Sequence, residues 1–283
     1  MGEEAKNRTA IILMGSGMRS AHGAGFLYAL AKNLGITSPN IMIGSSGDAG
    51  NVLYFASGQY ESLKHIWTEL LSTPKFISYW RFWKMMNVDY VIDTVFKKID
   101  PLNIEALKKY SVEWTIPITN VDTGKTRYVT AVDALDPFET LRAAKALPVF
   151  FGKRISLSGG KYLDGEFGPT LEDHIHHAIE RGAKRILLID HGGSQNLLSK
   201  LSTRLYATTL PPMLRQAIVR DISTKSVCVT VPDASIVCLM PEKLPAGLAT
   251  RNKKKLRETF EHGVADALAL ESELRSLFNT PAV

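Results

Sequence analysis

A turn with two serines is the first feature of this sequence that could do chemistry. It lies between a short apolar run, 41–43, which is typical of a buried strand, and the helically spaced residues 48–56. The residues of the turn are Gly44, Ser45, Ser46 and Gly47. A serine in such a turn stands out at the end of the sheet, where it faces the free N–H groups of a helix start. Such a serine can act as a nucleophile.

Ser46 is the better nucleophile candidate of the two serines. Gly44 stands two residues before it and relieves the crowding that a sharp turn creates. The turn departs from the G-x-S-x-G pattern at its last position, where Asp48 replaces the second glycine. The alternative role for Ser46 is that of a helix N-cap, and the turn alone does not decide between the two roles.

A second loop, Gly15-Ser-Gly-Met-Arg-Ser20, joins a predicted strand, 9–14, to a predicted helix, 21–34. Its backbone N–H groups could hold a dinucleotide, a phosphate or an oxyanion. The dinucleotide fingerprint has a glycine at the position of Ser20 and an acidic residue at the end of the second strand, and the sequence has neither. A phosphate loop needs Gly-Lys-Ser or Gly-Lys-Thr, which is also absent. An oxyanion hole remains, because Ser46 supplies the nucleophile that it serves.

A base for this serine is predicted at Asp164. It closes a short predicted strand, 161–163, and Gly165 follows it directly. A carboxylate held against a serine can accept its proton without an imidazole. The alternative is an ordinary Asp-Gly turn. His174 or His191 could also complete a triad, but neither stands in a glycine-bounded turn that would fix its direction.

Three histidines of the predicted helix 171–181 invite a metal interpretation. They are His174, His176 and His177. Histidines clustered in this way on a helix more often form a solvated face, so no metal site is expected.

The loop, the serine turn and the Asp-Gly pair occur in the order that is found in the patatin-like phospholipase family. The stretches 141–151, 183–190 and 260–267 are also similar to segments of that family. The similarity runs from about residue 10 to residue 267. The resemblance implies a patatin-like three-layer sandwich.

The resemblance also implies a role for each matched residue. Ser46 corresponds to the nucleophile and Asp164 to the base of a Ser-Asp dyad. The amides that hold the oxyanion correspond to Gly15, Gly17, Met18 and Arg19. The family hydrolyses acyl esters of lipids through an acyl-enzyme. The expected partner is therefore a lipid or fatty-acyl ester, as for a phospholipase A or lysophospholipase, and no metal or cofactor is expected.

Three departures from the family pattern affect this site. Ser20 replaces the last glycine of the loop, and Asp48 replaces the second glycine of the elbow. Glu166 stands where the family usually has glycine or alanine. Two extra carboxylates near a developing oxyanion would oppose it, so we expect Asp48 to point away from the oxyanion. The alternative is a catalytically impaired protein that binds a lipid or a partner.

The order of the elements predicts the fold class. A strand, a glycine turn and a helix occur twice over, which is typical of an α/β protein with a mostly parallel central sheet flanked by helices. Further strands are predicted at 114–118, 127–132, 154–157, 161–163, 185–190 and 235–240, and further helices at 137–146, 171–181 and 252–278. We expect one domain, 1–283, with an insertion at about 71–110.

Aromatic residues crowd this insertion. They are Phe76, Tyr79, Trp80, Phe82 and Trp83. One interpretation is a helical excursion whose aromatics pack on the core. The other is a lid over an apolar substrate or a membrane-facing patch, because Trp and Tyr suit the membrane interface.

The amino-acid composition limits the classes of partner that this protein is expected to bind. The 283 residues include 34 basic and 28 acidic side chains, a net charge of +6, and 45% are hydrophobic, which excludes a disordered chain. No nucleic-acid-binding motif accompanies the basic excess, so no nucleic acid partner is expected. The basic run 251–257 is either a solvated helix start or a contact with anionic membranes. The oligomeric state stays open.

The expected location is the cytoplasm, with peripheral membrane contact as the alternative. Cys228 and Cys238 lie in or beside apolar runs and predict buried thiols in a reducing compartment. The polar start of the sequence does not resemble a signal peptide, and no apolar run approaches the roughly 20 residues that span a bilayer.

Overall fold

A mixed sheet forms the centre of the protein. The computed structural model describes residues 7–81, 84–109, 111–133, 135–147, 150–191, 231–232 and 234–279, and also residues 208, 212 and 215. Within these ranges the sheet has eight strands: β1 (Arg8–Met14), β2 (Ile41–Gly44), β3 (Glu113–Asn120), β4 (Thr126–Thr130), β5 (Ile155–Leu157), β6 (Gly160–Asp164), β7 (Ala183–Asp190) and β8 (Ser235–Leu239). Their order is β5-β6-β3-β2-β1-β7-β8, and β4 also pairs with β3.

The middle of the sheet is parallel and one end is antiparallel. β1 pairs in parallel with β2 and β7, and the pairs β2–β3 and β7–β8 are also parallel. The pairs β3–β4, β3–β6 and β5–β6 are antiparallel. β1 is buried from Thr9 to Met14, as expected for a central strand that is covered on both faces. The predicted fold class, a mostly parallel sheet flanked by helices, is confirmed.

Helices cover both faces of this sheet. They are α1 (Ala21–Lys32), α2 (Asp48–Ala56), α3 (Tyr60–His65), α4 (Ile104–Lys109), α5 (Pro137–Ala144), α6 (Leu171–Glu180), α7 (Lys253–Ala269) and α8 (Glu271–Phe278). On one face α1 and α2 pack on the sheet, and α7 packs against α1. On the other face Ile175 and Ala178 of α6 pack against Ile12 and Ile43. The result is three layers, helix on sheet on helix.

Polar residues fix the starts of two of these helices. The Thr170 hydroxyl accepts the backbone N–H of Asp173, whose carboxylate accepts the backbone N–H of Thr170, so α6 begins with a capping box. The side chain of Asn252 accepts the backbone N–H of Lys255 at the start of α7. These side chains satisfy N–H groups that would otherwise lack a partner in the first turn.

The predicted helix 252–278 is two helices, because the chain breaks at Leu270 between α7 and α8. After the break, α8 buries Leu274 and Leu277 in the same core as α7. The prediction of one continuous helix was therefore wrong.

The insertion is also not one continuous helix. Ile77 pairs with Met86 in an isolated antiparallel bridge, and Tyr90–Ile99 forms a helix with wider, π-type turns. A second π-type helix, Ile66–Leu70, precedes the insertion. Both π-type helices contact α2, because the indole N–H of Trp67 donates to Asn51 Oδ1 and the ring of Phe96 packs edge-on against that of Tyr54. Tyr90–Ile99 also contacts α5.

The aromatic residues of the insertion divide into two groups. Phe76 is buried, as the core-packing interpretation predicts. Tyr79 is half exposed and Trp80 is 87% exposed, so these two aromatics do not pack in the core. Phe82 and Trp83 lie outside the described residues.

Cys238 on β8 is disulfide-bonded, so the prediction of two buried free thiols was wrong for this residue. Cys228 lies outside the described residues. The argument from reduced thiols to the cytoplasm therefore no longer holds. Within the described ranges, no helix has both the length and the hydropathy that a membrane crossing requires.

Candidate active site

The serine turn is a sharp elbow between β2 and α2. Ser46 has a φ of 46°, in the left-handed region that residues with a side chain rarely adopt. Gly44 leaves the space that this turn needs, because a Cβ there would lie 2.5 Å from the side chain of Val52 and 2.7 Å from the carbonyl oxygen of Asp48. A strained backbone at a serine is typical of functional sites, where the surrounding structure holds it in place.

Ser46 and Asp164 are in direct contact. The Ser46 hydroxyl donates to Asp164 Oδ2 at 2.8 Å, and both side chains are buried. The other oxygen, Asp164 Oδ1, accepts the backbone N–H of Glu166 at 3.0 Å. Burial raises the pKa of Asp164 to about 7. A carboxylate with such a pKa can exchange a proton with a serine near neutral pH.

β6 brings Asp164 to the elbow through its pairing with β3. Asp164 lies opposite Ile118 in the antiparallel register, and the Thr119 hydroxyl donates to the carbonyl oxygen of Asp164 at 2.9 Å. A side chain at Gly165 would overlap the carbonyl oxygen of Pro117. The glycine after the aspartate is therefore required by close backbone packing, which fixes the direction of the carboxylate.

The glycine-containing loop lies directly on the elbow. Its second half, Gly17–Ser20, is a short 3-10 helix that leads into α1. A Cβ on Gly15 would overlap the carbonyl oxygen of Ser45 and lie 2.8 Å from the backbone nitrogen of Gly47. A Cβ on Gly47 would lie 2.7 Å from the carbonyl oxygen of Gly17. Glycines at both positions allow the loop amides to approach Ser46.

Two of the four amides predicted for the oxyanion hole are already engaged. The Met18 N–H donates to the carbonyl oxygen of Leu248 at 3.0 Å, and the Arg19 N–H donates to that of Ser16 at 3.1 Å. The Gly17 N–H donates no hydrogen bond within the described part of the chain, and Gly17 lines the cavity next to Ser46. Within the described residues, the amides of Met18 and Arg19 are therefore occupied, whereas that of Gly17 is not.

The fourth predicted amide, that of Gly15, faces a carboxylate. It donates to Glu166 Oε1 at 3.1 Å, and the same oxygen is hydrogen-bonded to the Ser45 hydroxyl. Glu166 thus ties the segment after Asp164 to both the loop and the elbow. A negative charge at this position opposes the formation of an oxyanion nearby.

Asp48 is fully buried on the first turn of α2. Its Oδ1 accepts from the side-chain amide of Asn51 at 2.7 Å, and its Oδ2 lies 3.4 Å from His191 Nδ1. Burial raises the pKa of Asp48, and the neighbouring His191, Ser20 and Asn51 oppose this rise. The carboxylate therefore contacts the loop, α2 and the residue after β7, and these contacts do not include the Ser46 hydroxyl.

His191 and His174 are engaged elsewhere. His191 Nδ1 donates to the carbonyl oxygen of Met14 at 2.8 Å, and its Nε2 lies 3.1 Å from His22 Nδ1. His174 is buried, with Nδ1 3.0 Å from the hydroxyl of Tyr128. Burial lowers the pKa of His174 to about 4. The structure thus brings neither histidine into a hydrogen bond with Ser46, and Asp164 takes that place.

Two of the three histidines on α6, His174 and His177, pack against Tyr128, and His176 is exposed. The prediction of a solvated face was therefore wrong for His174, which is fully buried. The ring of His177 stacks on the ring of Tyr128, with 3.8 Å between their centroids. Among the described residues no group of three or more His, Cys, Asp or Glu is placed to hold a metal ion.

Lys145 also belongs to the site, although the sequence reasoning did not select it. It follows α5, and its Nζ donates to the carbonyl oxygens of Ser46 at 2.7 Å and Gly47 at 2.9 Å. Burial lowers the pKa of Lys145 to about 8. The sequence does carry a signal for Lys145, because it is the single charged residue within the small and apolar run 143–147.

A cavity begins at Ser46 and extends beneath the insertion. Its wall is mainly apolar and includes Leu63, Ile66, Trp67, Phe76, Met86 and Phe96. Its polar groups lie near the elbow and include Asn51 and Lys145. A cavity with this lining suits an apolar group whose polar end lies at the elbow.

Solved structures with this arrangement of elements exist. VipD from Legionella pneumophila matches with a TM-score of 0.52 and 11% identity, over 94% of this chain and 67% of that chain. Human GIVD cytosolic phospholipase A2, in complex with methyl γ-linolenyl fluorophosphonate, matches with a TM-score of 0.50 and 11% identity, over 99% of this chain and 60% of that chain. The chain has a patatin-like phospholipase fold.

Sequence comparison adds nothing to this likeness. No protein-family model and no curated protein matches the chain. At 11% identity, the structural similarity shows only that the fold is shared. The chain also spans less than two thirds of the length of the human phospholipase.

Proposed function

We propose that this chain is a serine acyl hydrolase of lipids, of the phospholipase A or lysophospholipase type. One observation carries the proposal: the Ser46 hydroxyl donates to the buried Asp164 carboxylate at 2.8 Å, at the wall of an apolar cavity. In this proposal Ser46 is the nucleophile and Asp164 is the base. The human neighbour, a phospholipase in complex with a linolenyl fluorophosphonate, supports the same class of chemistry.

The proposed reaction begins with attack of Ser46 Oγ on the ester carbonyl carbon. The Oγ–C bond forms while the hydroxyl proton passes to Asp164, and the carbonyl oxygen becomes an oxyanion. The Gly17 N–H stabilises the oxyanion, and loss of one such donor typically costs about 3 kcal/mol. Asp164 then gives its proton to the leaving alcohol as the C–O bond breaks, which leaves an acyl-enzyme.

The second half of the reaction repeats these transfers with water. Asp164 accepts a proton from a water molecule, whose oxygen attacks the acyl carbon. The bond to Ser46 Oγ breaks, and the proton returns from Asp164 to the serine. The products are a fatty acid and the free enzyme, and no step uses a metal or a cofactor.

The cavity supports a fatty-acyl group as the part of the substrate that is bound. Buried apolar residues of α3 and of the insertion line it, and Phe76 contributes to the wall. Transfer of an acyl chain from water into such a wall yields about 0.8 kcal/mol for each buried CH₂. Long-chain esters should therefore be better substrates than short-chain esters.

Peripheral membrane contact is part of the proposal. The aromatic patch, which we define as Tyr79, Trp80, Leu248 and Arg251, is joined to the loop because Leu248 packs on Gly17. The Tyr79 hydroxyl donates to the carbonyl oxygen of Ala249, and the Arg251 guanidinium lies over the Tyr79 ring. Exposed aromatic and basic side chains next to a lipid site suit an anionic membrane surface.

Fatty-acid release from pure lipids tests the proposal. Wild-type protein, Ser46→Ala and the exposed control Ser156→Ala are each incubated with lysophosphatidylcholine, with phosphatidylcholine vesicles and with a short-chain ester. We expect the wild type and Ser156→Ala to release long-chain acid at equal rates, and Ser46→Ala to release none. Equal release by folded Ser46→Ala would overturn the proposal.

A second candidate function is a catalytically impaired protein that binds a lipid or a partner. The observation that favours it is the Glu166 carboxylate, which holds the Gly15 N–H and the Ser45 hydroxyl. This candidate predicts lipid binding that Ser46→Ala does not change, together with no acyl hydrolysis by the wild type.

A further inference from the structure

Lys145 makes contacts with the nucleophile that the dyad does not explain. Its ammonium group donates to the carbonyl oxygens of Ser46 and Gly47, which are the nucleophile and the residue after it. Ser46 has a left-handed backbone that is strained for a serine. The two hydrogen bonds hold the backbone at this point from outside the elbow. Lys145 thus ties the end of α5 to the turn that presents the Ser46 hydroxyl.

Within the described residues, the charged groups that act on Lys145 are two carboxylates. Asp48 on α2 and Asp164 at the end of β6 are both fully buried, and both interact with the charge of Lys145. Glu166 on the segment after β6 points to the loop and to Ser45. Among the described residues that line the cavity, Lys145 is the only basic side chain. His191 Nδ1 lies 3.4 Å from Asp48 Oδ2, and His191 is not among the residues that line the cavity.

This arrangement matters because a buried base must be ionised to accept a proton. Removal of a carboxylate from water favours its protonated form, and an opposite charge nearby restores the ionised form. The hydrogen bonds from Ser46 and from the Glu166 N–H also favour ionised Asp164. Lys145 adds the full positive charge that these neutral donors lack.

We propose that Lys145 is a positioning residue of this hydrolase, and this role rests on the proposed function. Its ammonium group holds the carbonyl oxygens of the elbow and keeps the Asp164 carboxylate ionised beside Ser46. Lys145 takes no proton from the serine and touches neither the reacting carbon nor its oxygen.

The proposal has a definite consequence for the pH dependence. Reaction needs ionised Asp164, so the rate falls as the pH falls through the pKa of that group, about 7. Loss of the Lys145 charge raises this pKa further, because only the charged lysine favours the carboxylate. The acid side of the pH profile should then move to higher pH. A lysine that served packing alone would lower the rate equally at every pH.

The rate of fluorophosphonate labelling at Ser46, measured from about pH 5 to about pH 9, tests this role. Labelling forms the Ser46 Oγ–P bond, breaks the P–F bond and releases the serine proton with fluoride. Lys145→Met removes both the donor and the charge, Lys145→Gln keeps a donor without the charge, and Lys145→Arg keeps both. Lys161→Met is the matched control, because Lys161 is exposed on the same strand as Asp164.

We expect the midpoint of the acid side to rise by about one pH unit or more in Lys145→Met and Lys145→Gln, and to stay in place in Lys145→Arg and Lys161→Met. Near-ultraviolet circular dichroism checks that each variant is folded, and Lys145→Gln serves if Lys145→Met does not fold. A midpoint that is unchanged in folded Lys145→Gln would overturn the role of Lys145. Absence of Ser46 labelling in the wild type would instead refute the proposed function.

Discussion

Ser46 Oγ lies 2.8 Å from Asp164 Oδ2, although 118 residues separate the two in the sequence. The contact exists because β6 runs antiparallel beside β3, whose parallel neighbour β2 leads into the elbow. The Ser46 hydroxyl donates directly to the Asp164 carboxylate, with no histidine between them. The pair is buried, so the Ser46 hydroxyl donates to a protein oxygen that bulk water does not reach.

Asp164→Asn should stabilise the protein while it removes activity. Burial raises the pKa of Asp164 from 3.8 to about 7, so the folded state binds a proton that the unfolded state has lost. As the pH rises from about 4 to about 7, the free energy of unfolding of the wild type therefore falls by roughly 4 kcal/mol relative to that of the asparagine variant. Thermal unfolding at several pH values measures the difference.

The exposed residue Asp122 provides the control for this prediction. Asp122→Asn should leave the melting temperature within about one degree of the wild type at every pH, since surface changes are usually worth less than about 0.5 kcal/mol. An Asp164→Asn variant that melts below the wild type at pH 8 would contradict the prediction.

Glu166→Gln should raise the rate of fluorophosphonate labelling about tenfold. The carboxylate lies on the Gly15 N–H and the Ser45 hydroxyl, so its charge opposes the charge that develops on the attacked group. The amide keeps the shape and one acceptor oxygen. Glu172→Gln, at an exposed position on α6, is the control. A labelling rate that falls would mean that the loop needs the Glu166 carboxylate for its position.

Asp48→Gly should destabilise the protein without activating it. The carboxylate is an acceptor for Asn51 and a partner of His191 inside the protein, and loss of a buried partner costs about 1–3 kcal/mol for each group left unpaired. Thermal unfolding should show a lower melting temperature, and the labelling rate should change by less than about tenfold. A hundredfold rise in the rate would show that Asp48 opposes the oxyanion.

Trp80→Ala should weaken binding to anionic vesicles about tenfold, as measured by co-sedimentation. The side chain is 87% exposed, and burial of a large apolar side chain yields about 1.5–3 kcal/mol. Added salt should weaken the binding of both proteins, because Arg251 contributes by charge. Val132→Ala changes an equally exposed side chain outside the aromatic patch and should have no effect. Equal binding of Trp80→Ala and wild type would exclude the patch as the membrane contact.

Local patterns were enough to predict most strands and the two ends of the dyad. Ser46 and Asp164 each follow or close a short apolar strand and lie next to a glycine, and the close approaches at Gly44 and Gly165 explain those glycines. Such signals depend on a few neighbouring residues. These local signals can be found in this sequence even though the proteins with the same fold are only 11% identical to it.

Long-range relationships could not be predicted in this way. Lys145 lies 99 residues from the carbonyl oxygen that it contacts, and no local pattern joins the two. Glu166 lies 151 residues from Gly15 and accepts its backbone N–H. The resemblance had implied that this N–H would bind the oxyanion. The break at Leu270 depends on the core that Leu274 and Leu277 enter, and not on a glycine or proline in the helix.

Peptide mapping of the fluorophosphonate adduct by mass spectrometry tests the proposed Ser46–Asp164 pair most directly. We expect one adduct, on Ser46, in the wild type and in Ser156→Ala, and none in Ser46→Ala or in folded Asp164→Asn. An adduct on another serine, or undiminished labelling of Asp164→Asn, would contradict the assignment of Ser46 as nucleophile and Asp164 as its base.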